Sequence, residues 1–262
     1  EAFGRYGGKL HLGHEVIGLK LDKKLKFWEA EVLAPNKSVL KMKADDVVFT
    51  PPPQLLPKII SADADLTKSY FQRLNQLPIP SGAFVFYGAI ERSALPDNIP
   101  LHLQFPSKEI DSLFVSISQE GDGRAPAGQA TVIASAFTPV EDWSILPEEV
   151  YQKRKKSVFL VIRSALEEYF KLNSQQWIHQ EFATPRSFAK WTGRPYGIVG
   201  GLGQSPLIFG PFGLSSRTPI QGLWLCGDSV HPGEGTAGVS HSALLTSKQL
   251  MQKRGLKLQL AV

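Results

Sequence analysis

The sequence predicts an α/β protein, and three patterns support this fold class. Residues 7–50 and 82–137 contain short runs of apolar and β-branched residues separated by polar or glycine-containing turns, which is typical of strands. Residues 147–172 repeat apolar side chains at helical spacing. Residues 223–251 combine an apolar run, a glycine-rich loop and a second helical pattern. Strands and helices therefore both contribute to the core.

The composition is that of a globular protein. The 262 residues carry a formal charge of +5, and 42% are hydrophobic and 20% charged, which suits one large domain or two small ones. No apolar run approaches the roughly 18 residues needed to span a bilayer. The single cysteine, Cys226, excludes an internal disulfide and a thiolate metal site, so a reducing compartment is the default expectation.

The first fifty residues predict a meander of short strands. The strands are expected at 9–12, 15–21, 27–33, 38–42 and 47–49. The proline run at 51–53 ends the last strand, because proline lacks the amide donor that a sheet ladder needs. A short helix is predicted directly after it, over 54–60.

The middle of the chain predicts four further strands. They are expected at 83–90, 100–104, 113–118 and 129–137, with a glycine turn at 121–123. The aromatic residues Phe84, Phe86 and Tyr87 are expected in the core, which is the usual place for large apolar side chains.

A long helix is predicted over 147–172. Pro147, Glu148 and Glu149 open it with the acidic first turn that the helix dipole favours. One buried stripe is expected along its length, formed by Tyr151, Val158, Ile162, Leu166 and Tyr169. A strand near 176–181 follows this helix.

The densest basic run, residues 153–156, lies within that helix. We expect its side chains to be solvated, and the alternative is docking on anionic lipid. No basic groove interleaved with aromatic residues accompanies the run, so nucleic acid is not an expected partner.

A glycine-rich tract at 193–213 contains seven glycines and three prolines, together with many apolar residues. Because a flexible linker would lack those apolar residues, the tract predicts an ordered loop packed against a ligand or the core.

The most informative segment is residues 222–240, which predicts a strand, a glycine loop and a helix starting near Thr236. Gly233, Gly235 and Gly238 form a G-x-G-x-x-G pattern, in which backbone amides can approach a pyrophosphate. The pattern lies too far from the strand, and too near the end of the sequence, for a primary dinucleotide fingerprint. A secondary cofactor contact is favoured, with Asp228 accepting from a sugar or ribityl hydroxyl. In the alternative, Gly227 and Asp228 form only a turn and Thr236 is only an N-cap.

These residues resemble a known family. Residues 222–243 resemble the C-terminal FAD-contacting segment of the phytoene desaturase and carotenoid isomerase branch of the flavin amine oxidase superfamily. Residues 7–9 with Val16, and residues 46–52, resemble the strands that return to the family's nucleotide domain. Residues 209–213 with 217–219 resemble carotenoid 3,4-desaturases most closely.

The resemblance implies a specific architecture. It consists of a partial FAD-binding domain of the Rossmann-like, glutathione-reductase type, formed by residues 1–60 and 191–262, and an α+β substrate domain with a mostly antiparallel sheet over 61–190. Nothing upstream of Gly7 matches the strand, glycine loop and acidic ribose ligand with which the family begins. We therefore expect the chain to be the C-terminal portion of a longer enzyme whose N-terminal βαβ unit is not in this sequence.

The resemblance also implies FAD as the cofactor. It puts Val16 near the adenine, Thr50 and Pro51 at the nucleotide-domain edge, and Asp228 on the ribityl chain or the pyrophosphate. The remaining implied cofactor contacts are Gly227, Gly233, Glu234, Gly235, Thr236, Ala237 and Val239. The implied substrate contacts are Phe209, Pro211 and Phe212.

Candidate catalytic residues are His231, Arg217 and Glu234. His231 could assist proton loss near pH 7, although a lone loop histidine is also a common structural residue. Arg217 could polarise a substrate or pair with a loop carbonyl. A metal site is not expected, because the other histidines lack a partner at ligand spacing.

The activity implied by the resemblance is that of an FAD-dependent, carotenoid desaturase-like oxidoreductase, which transfers a hydride from an allylic C–H of a long apolar polyene to the flavin. The alternatives are a carotenoid cis-trans isomerase, a retinol-saturase-like enzyme, and a truncated, flavin-free binding protein. The expected location is the cytoplasmic side of a bacterial, thylakoid or plastid membrane, in peripheral contact with it.

Overall fold

A computed structural model describes residues 2–60, 65–107, 110–203, 205, 206, 208 and 212–257. The chain divides into two compact units, one formed by Glu1–Pro78 with Gly200–Val262 and the other by Ile79–Val199. The predicted domain boundaries followed residues 60 and 190. The assignment of the domains to cofactor and substrate binding stays a prediction.

The first unit begins with helix α1 (Ala2–Arg5) and a three-stranded antiparallel sheet. Its strands are β1 (Glu15–Asp22), β2 (Phe27–Leu33) and β3 (Val39–Ala44), in the order β1-β2-β3. The predicted strand at 9–12 is wrong, since these residues lie outside any strand. Gly7 and Gly13, on either side, adopt φ values of +77° and +67° that bend the chain away from an extended path.

The fifth predicted strand, β4 (Val47–Phe49), leaves the meander and pairs in parallel with β10 (Leu223–Leu225). A 3₁₀ turn at Pro53–Leu55 and helix α2 (Leu56–Ile59) follow β4, close to the predicted short helix. Helix α7 (Gly235–Lys253) follows β10. Two distant segments therefore supply one strand pair.

Helix α3 (Asp65–Asn75) was not predicted. It contributes Tyr70, Phe71 and Leu74 to the core of the first unit, and Leu74 is fully buried. The other large side chains in this core include Leu19, Trp28, Phe49, Leu56, Leu202, Leu223 and Leu225. The amphipathic pattern of α3 is short and polar on average, so its burial depends on tertiary contacts rather than on strong local propensity.

The second unit is built on a five-stranded antiparallel sheet, and this confirms the prediction of antiparallel pairing here. The strands follow the order β6-β7-β8-β5-β9. Their bounds are β5 (Gly82–Glu91), β6 (His102–Pro106), β7 (Ser112–Ile117), β8 (Gln129–Thr138) and β9 (Trp177–Ala183). Alternate residues of β8 are buried, as expected when one face of a sheet packs on a core.

Three helices accompany this sheet: α4 (Glu141–Ser144), α5 (Glu148–Phe170) and α6 (Pro185–Thr192). Helix α5 lies over the sheet core and buries Tyr151, Ile162 and Leu166, as predicted. Tyr169 is a correction, because it is 48% exposed and Phe170 is buried instead. Phe170 follows Leu166 by four residues and so shares its face.

The basic run of α5 is partly solvated. Lys153 and Lys156 are exposed, as expected, whereas the Arg154 guanidinium lies 4.4 Å from the centre of the Trp143 ring. No helix in the described part of the chain is both long and apolar enough to span a bilayer.

Candidate functional site

The candidate site lies where the carboxyl ends of β4 and β10 meet. Parallel strands bring their carboxyl ends to one edge, which is where ligands bind in open α/β sheets. Thr50 follows β4 and Gly227 follows β10. Gly227 has φ of +123°, and a Cβ on it would lie 3.3 Å from the Thr50 carbonyl oxygen. Glycine therefore lets the two loops approach closely.

Helix α7 is fixed to β10 by two buried hydroxyls. Ser242 Oγ accepts from the Gly227 backbone N–H at 3.0 Å. Thr246 Oγ1 donates to the Leu225 carbonyl oxygen at 3.1 Å. These bonds satisfy polar groups that the close approach of helix and strand removes from water.

The glycines of the G-x-G-x-x-G pattern have separate structural roles. Gly233 and Gly235 adopt φ of +121° and +82°, which other residues rarely adopt. A Cβ on Gly238 would collide with the Gly233 carbonyl oxygen. The loop can therefore fold back onto the first turn of α7 only because Gly238 has no side chain.

The first turn of α7 faces solvent. Its N-cap is Glu234, whose side chain makes no capping hydrogen bond within the described chain. Glu234, Gly235, Thr236 and Ala237 are exposed, and Val239 is half-buried. The interpretation of Thr236 as the N-cap is wrong, because the helix already begins at Gly235. The uncapped N–H groups and the helix dipole make this end suitable for an anionic or electron-rich group.

The glycine-rich tract packs against the same loop. A Cβ on Gly201 would collide with the Asp228 carbonyl oxygen, and one on Gly200 would collide with the Glu234 carboxylate. Both glycines have positive φ, of +79° for Gly200 and +83° for Gly201. At Gly201 the two loops are thus held together by backbone packing that a side chain would prevent, whereas the Glu234 side chain beside Gly200 could move away.

Asp228 is half-buried and lies next to a hydroxyl, since Ser229 Oγ is 3.3 Å from its Oδ1. A small cavity of about 20 Å³ borders this loop, with room for a single water molecule. Its walls include Leu202, Leu214 and Val230. A carboxylate beside a helix N-terminus can accept from a hydroxyl of a bound ligand.

The three candidate catalytic residues have separate local contacts. His231 is exposed, its backbone N–H donates to the Leu214 carbonyl oxygen at 2.9 Å, and its bond to Pro232 is cis. Arg217 pairs with Trp224 in an isolated antiparallel bridge, and its guanidinium lies 5.8 Å from the centre of the Trp224 ring. Glu234 alone lies at the helix N-terminus.

The other predicted contacts are exposed where the structure describes them. Val16 is 44% exposed on β1, and Pro51 is exposed after β4. Phe209 and Pro211 lie outside the described residues, and Phe212 is 65% exposed. Within the described ranges, no group of three or more His, Cys, Asp and Glu side chains is arranged to hold a metal ion.

Sequence reasoning missed a charged cluster around Asp46, whose side chain is 7% exposed. Its carboxylate accepts from Trp224 Nε1 at 2.9 Å, Lys253 Nζ at 2.7 Å and an Arg254 guanidinium nitrogen at 2.8 Å. Burial opposes ionisation, but the hydrogen bonds from these three residues outweigh it and lower the pKa of Asp46. The cluster joins the end of α7 to the start of β4. Its partners are far apart in sequence, so no local pattern indicates it.

Comparison with known proteins gives relatives over part of the chain. No family model matches. The chloroplastic prolycopene isomerase of Arabidopsis thaliana is 30% identical over 151 residues, which are 56% of this chain and 25% of the relative. The match thus spans about a quarter of the length of that protein.

Solved structures share the fold of almost the whole chain. An oxidoreductase from Methanosarcina mazei matches with a TM-score of 0.60 and 17% identity, covering 93% of this chain and 51% of its own. A triple mutant of putrescine oxidase, redesigned in cofactor binding, matches with a TM-score of 0.62 and 15% identity over 92% of this chain and 48% of its own. The α/β fold is therefore one that oxidoreductases use.

These comparisons confirm the resemblance that the sequence indicated. Over 56% of its length the chain is similar in sequence to a chloroplastic prolycopene isomerase, and its fold is similar to that of a putrescine oxidase. The finer likeness to carotenoid 3,4-desaturases stays a prediction, as does the partial Rossmann-like assignment of the first unit.

Proposed function

We propose that this chain forms part of an FAD-dependent enzyme that acts on carotenoid polyenes. The observation that carries this proposal is the meeting of two parallel strand ends with the exposed, uncapped N-terminus of α7. The sequence similarity to a prolycopene isomerase supplies the substrate class. A strand edge of this kind is a favoured place for a dinucleotide cofactor.

The residues present fit a flavin cofactor. Gly227 lies close to the Thr50 carbonyl oxygen and Gly238 to the Gly233 carbonyl oxygen, so the loop folds onto the start of α7, whose first turn has no side-chain cap. Asp228 would accept from a ribityl hydroxyl, and the helix dipole would favour the electron-rich end of the ring. When bound, the flavin would exchange an electron pair with the polyene.

Three reactions are compatible with this proposal. Cis-trans isomerisation is favoured by the name of the Arabidopsis relative. Desaturation, which would remove a hydride from an allylic C–H and a proton from a neighbouring carbon, is favoured by the residues at 209–213 and 217–219 that resemble 3,4-desaturases. A retinol-saturase-like reaction belongs to the same class. In each case the protein would act mainly by positioning an apolar substrate.

We also propose a plastid location, in a reducing compartment, because the prolycopene isomerase relative from Arabidopsis thaliana is chloroplastic. Import of a tagged full-length parent into isolated chloroplasts tests this. Exclusion of the parent from the organelle would contradict it.

The first experiment is the visible absorption spectrum of the purified chain after gel filtration with added FAD. We expect a flavin band to co-elute with the protein. The parent enzyme, loaded with FAD, is then expected to isomerise or desaturate a carotenoid in liposomes. A parent that holds FAD but leaves every polyene unchanged would contradict the substrate class, and a colourless parent would contradict the cofactor.

A variant makes the cofactor test specific. Asp228→Asn should weaken FAD binding about 10- to 150-fold, because a charge-assisted hydrogen bond is worth roughly 1.5–3 kcal/mol. Asp45→Asn removes a carboxylate of the same unit outside the candidate site and should leave FAD binding unchanged. A flavin-free binding protein would show no difference between the two variants.

A further inference from the structure

Strand β9 is an outer strand of the five-stranded sheet in the second unit. It pairs with β5 on one side, and no strand in the described part of the chain pairs with its other edge. The backbone N–H and C=O groups along an open edge can pair with a further strand, so proteins usually protect such edges with lysine, proline or a bulge. An outer strand without this protection is a place where another chain can bind.

The other outer strands of the two antiparallel sheets carry such protection. It consists of Lys41 and Lys43 on β3, Pro106 at the end of β6, and a bridge from Leu19 on β1 to Ile60. Strand β9 contains neither lysine nor proline. A register shift leaves Ile178 without a partner on β5, so a bulge protects only the start of the strand. Residues 179–183 keep a regular ladder with β5 and have an unprotected outer edge.

Helix α6 leaves room beside this edge. A groove of about 590 Å³ is lined by residues 181–183 of β9 and by Trp191 of α6. Ile178 is 51% exposed, and the side chains of His179 and Glu181 are 60% and 69% exposed. The strand is therefore accessible to a partner along most of its length.

We propose that β9 pairs with β9 of a second copy of this chain, antiparallel about Gln180, so that two five-stranded sheets become one. In this register His179 of one copy lies opposite Glu181 of the other, and the two-fold symmetry repeats the contact. Ile178 lies opposite Phe182, apolar against apolar. Both kinds of pair are favourable across neighbouring strands.

The adjacent two-fold registers lack this match. Pairing about Glu181 sets two carboxylates face to face, which is unfavourable. Pairing about His179 sets Glu181 opposite Trp177. Within one chain His179 Nε2 lies 3.2 Å from Glu181 Oε1, so both side chains lie on one face of the sheet. The order of charges along β9 thus selects the register about Gln180.

Gln180 gives a second reason for the same register. Its side-chain Oε1 is buried and accepts no hydrogen bond from any described residue, which is uncommon for a buried polar atom. In the proposed pair the two Gln180 side chains face each other, with Cβ atoms about 4.5–5.5 Å apart. Rotation of each amide lets it donate to the other copy and accept in return. The second copy would then supply the partner that this oxygen lacks.

A second copy brings the matching charges by symmetry, whereas an unrelated peptide would have to carry them separately. The proposed interface lies within the second unit, and it does not depend on FAD binding by the first.

Sedimentation equilibrium of the whole chain over a range of concentrations tests the proposal, and we expect a reversible monomer–dimer equilibrium. Glu181→Lys should raise the dimer dissociation constant at least about tenfold, because both symmetry-related contacts with His179 are lost. His179→Glu should also raise it, since carboxylates then face each other. The double variant His179→Glu/Glu181→Lys exchanges the two charges and should restore the dimer.

An edge lysine gives an independent test. Ile178→Lys puts a charge opposite Phe182 of the second copy and should weaken the dimer, as lysine does at natural sheet edges. Its matched control is Ile145→Lys, which changes an isoleucine that is 83% exposed in the same unit but outside β9. Glu168→Lys, at an exposed position of α5, is the control for Glu181→Lys. Neither control should change the dissociation constant.

Hydrogen exchange locates the interface. Amides at 178–182 should exchange more slowly at high protein concentration than after dilution, whereas those at 39–44 on β3 should not change. A chain that stays monomeric at every concentration would overturn the proposal. A dimer that tolerates Glu181→Lys, or that leaves exchange at 178–182 unchanged, would also overturn it. Circular dichroism of each variant establishes that a lost dimer does not come from unfolding.

Discussion

Gly227 and Ser242 are joined by a hydrogen bond of 3.0 Å from the backbone N–H of the loop to the hydroxyl of the helix. Ser242 is fully buried. The bond connects the end of β10 to the second turn of α7, so it fixes the loop between them. That loop carries Asp228 and the glycines of the candidate site, and the hydroxyl therefore acts on the site through the backbone.

Ser242→Ala should lower the free energy of unfolding by about 1–3 kcal/mol, because the half-buried Gly227 N–H loses its acceptor. Urea unfolding monitored by circular dichroism measures the change. Ser240→Ala removes an exposed hydroxyl from the same helix and should change stability by less than about 0.5 kcal/mol. Equal effects of the two substitutions would contradict the assigned role of the hydrogen bond.

Gly201→Ala should disrupt the packing of the glycine-rich tract on the candidate loop. The new Cβ would collide with the Asp228 carbonyl oxygen, and φ of +83° adds conformational strain. Gly255→Ala is the control for strain alone, since Gly255 has φ of +70° and open space around its Cα. We expect Gly201→Ala to cost about 1–3 kcal/mol more in unfolding free energy than the control.

Hydrogen exchange gives the same prediction a local readout. Amides at 228–234 should exchange faster in Gly201→Ala than in Gly255→Ala, because the collision displaces the loop itself. Unchanged exchange across this segment would mean that the tract tolerates the side chain by moving away.

Protonation of Asp46 should lower the stability of the fold at acid pH. Its folded pKa lies below the ordinary value of 3.8, so the folded state favours the carboxylate. The stabilisation is therefore present above about pH 4 and is lost as the pH falls through the lowered pKa. Asp46→Asn should cost about 1–3 kcal/mol at neutral pH and flatten the acid dependence.

Unfolding by urea at neutral and acid pH measures both effects. The control is Asp45→Asn, because the Asp45 side chain is 77% exposed and lies 3.4 Å from Arg254. An acid dependence that persists unchanged in Asp46→Asn would assign it to other carboxylates.

The elements predicted correctly are those whose hydrophobic pattern is visible over a few neighbouring residues. The helix over α5 and the strands of the second sheet have clear periodicity, and their predicted bounds are close to those observed. The strand predicted at 9–12 failed because two flanking glycines bend the backbone. Helix α3 was missed because its polar sequence becomes helical around Phe71 and Leu74 only when they are buried.

The candidate site was predictable only in part. The loop after β10 has a sequence signature, and the position of Gly227 at a strand end follows from it. The contact of Gly201 with Asp228 and the clustering of Lys253 on Asp46 join residues that are 27 and 207 positions apart. Pairings at such separations depend on how the strands and helices pack, which a single sequence does not encode in any local pattern.

Ionisation of Tyr70 should lower the stability of the fold at alkaline pH, whereas protonation of Asp46 lowers it at acid pH. Burial in the core of the first unit raises its pKa from 10.0 to about 12, against a smaller lowering effect of Arg73. Because the folded pKa is raised, the stabilisation is fully present below about pH 10 and is lost as the pH rises towards 12. Two pKa units correspond to a loss of up to about 3 kcal/mol.

Tyr70→Phe should abolish this part of the alkaline dependence, because phenylalanine has no phenolic proton to lose. Tyr6→Phe should leave it intact, since Tyr6 is 92% exposed. Phenolate absorbance and urea unfolding across this range measure ionisation and stability together, and parallel losses in Tyr70→Phe and the unchanged chain would contradict the assignment.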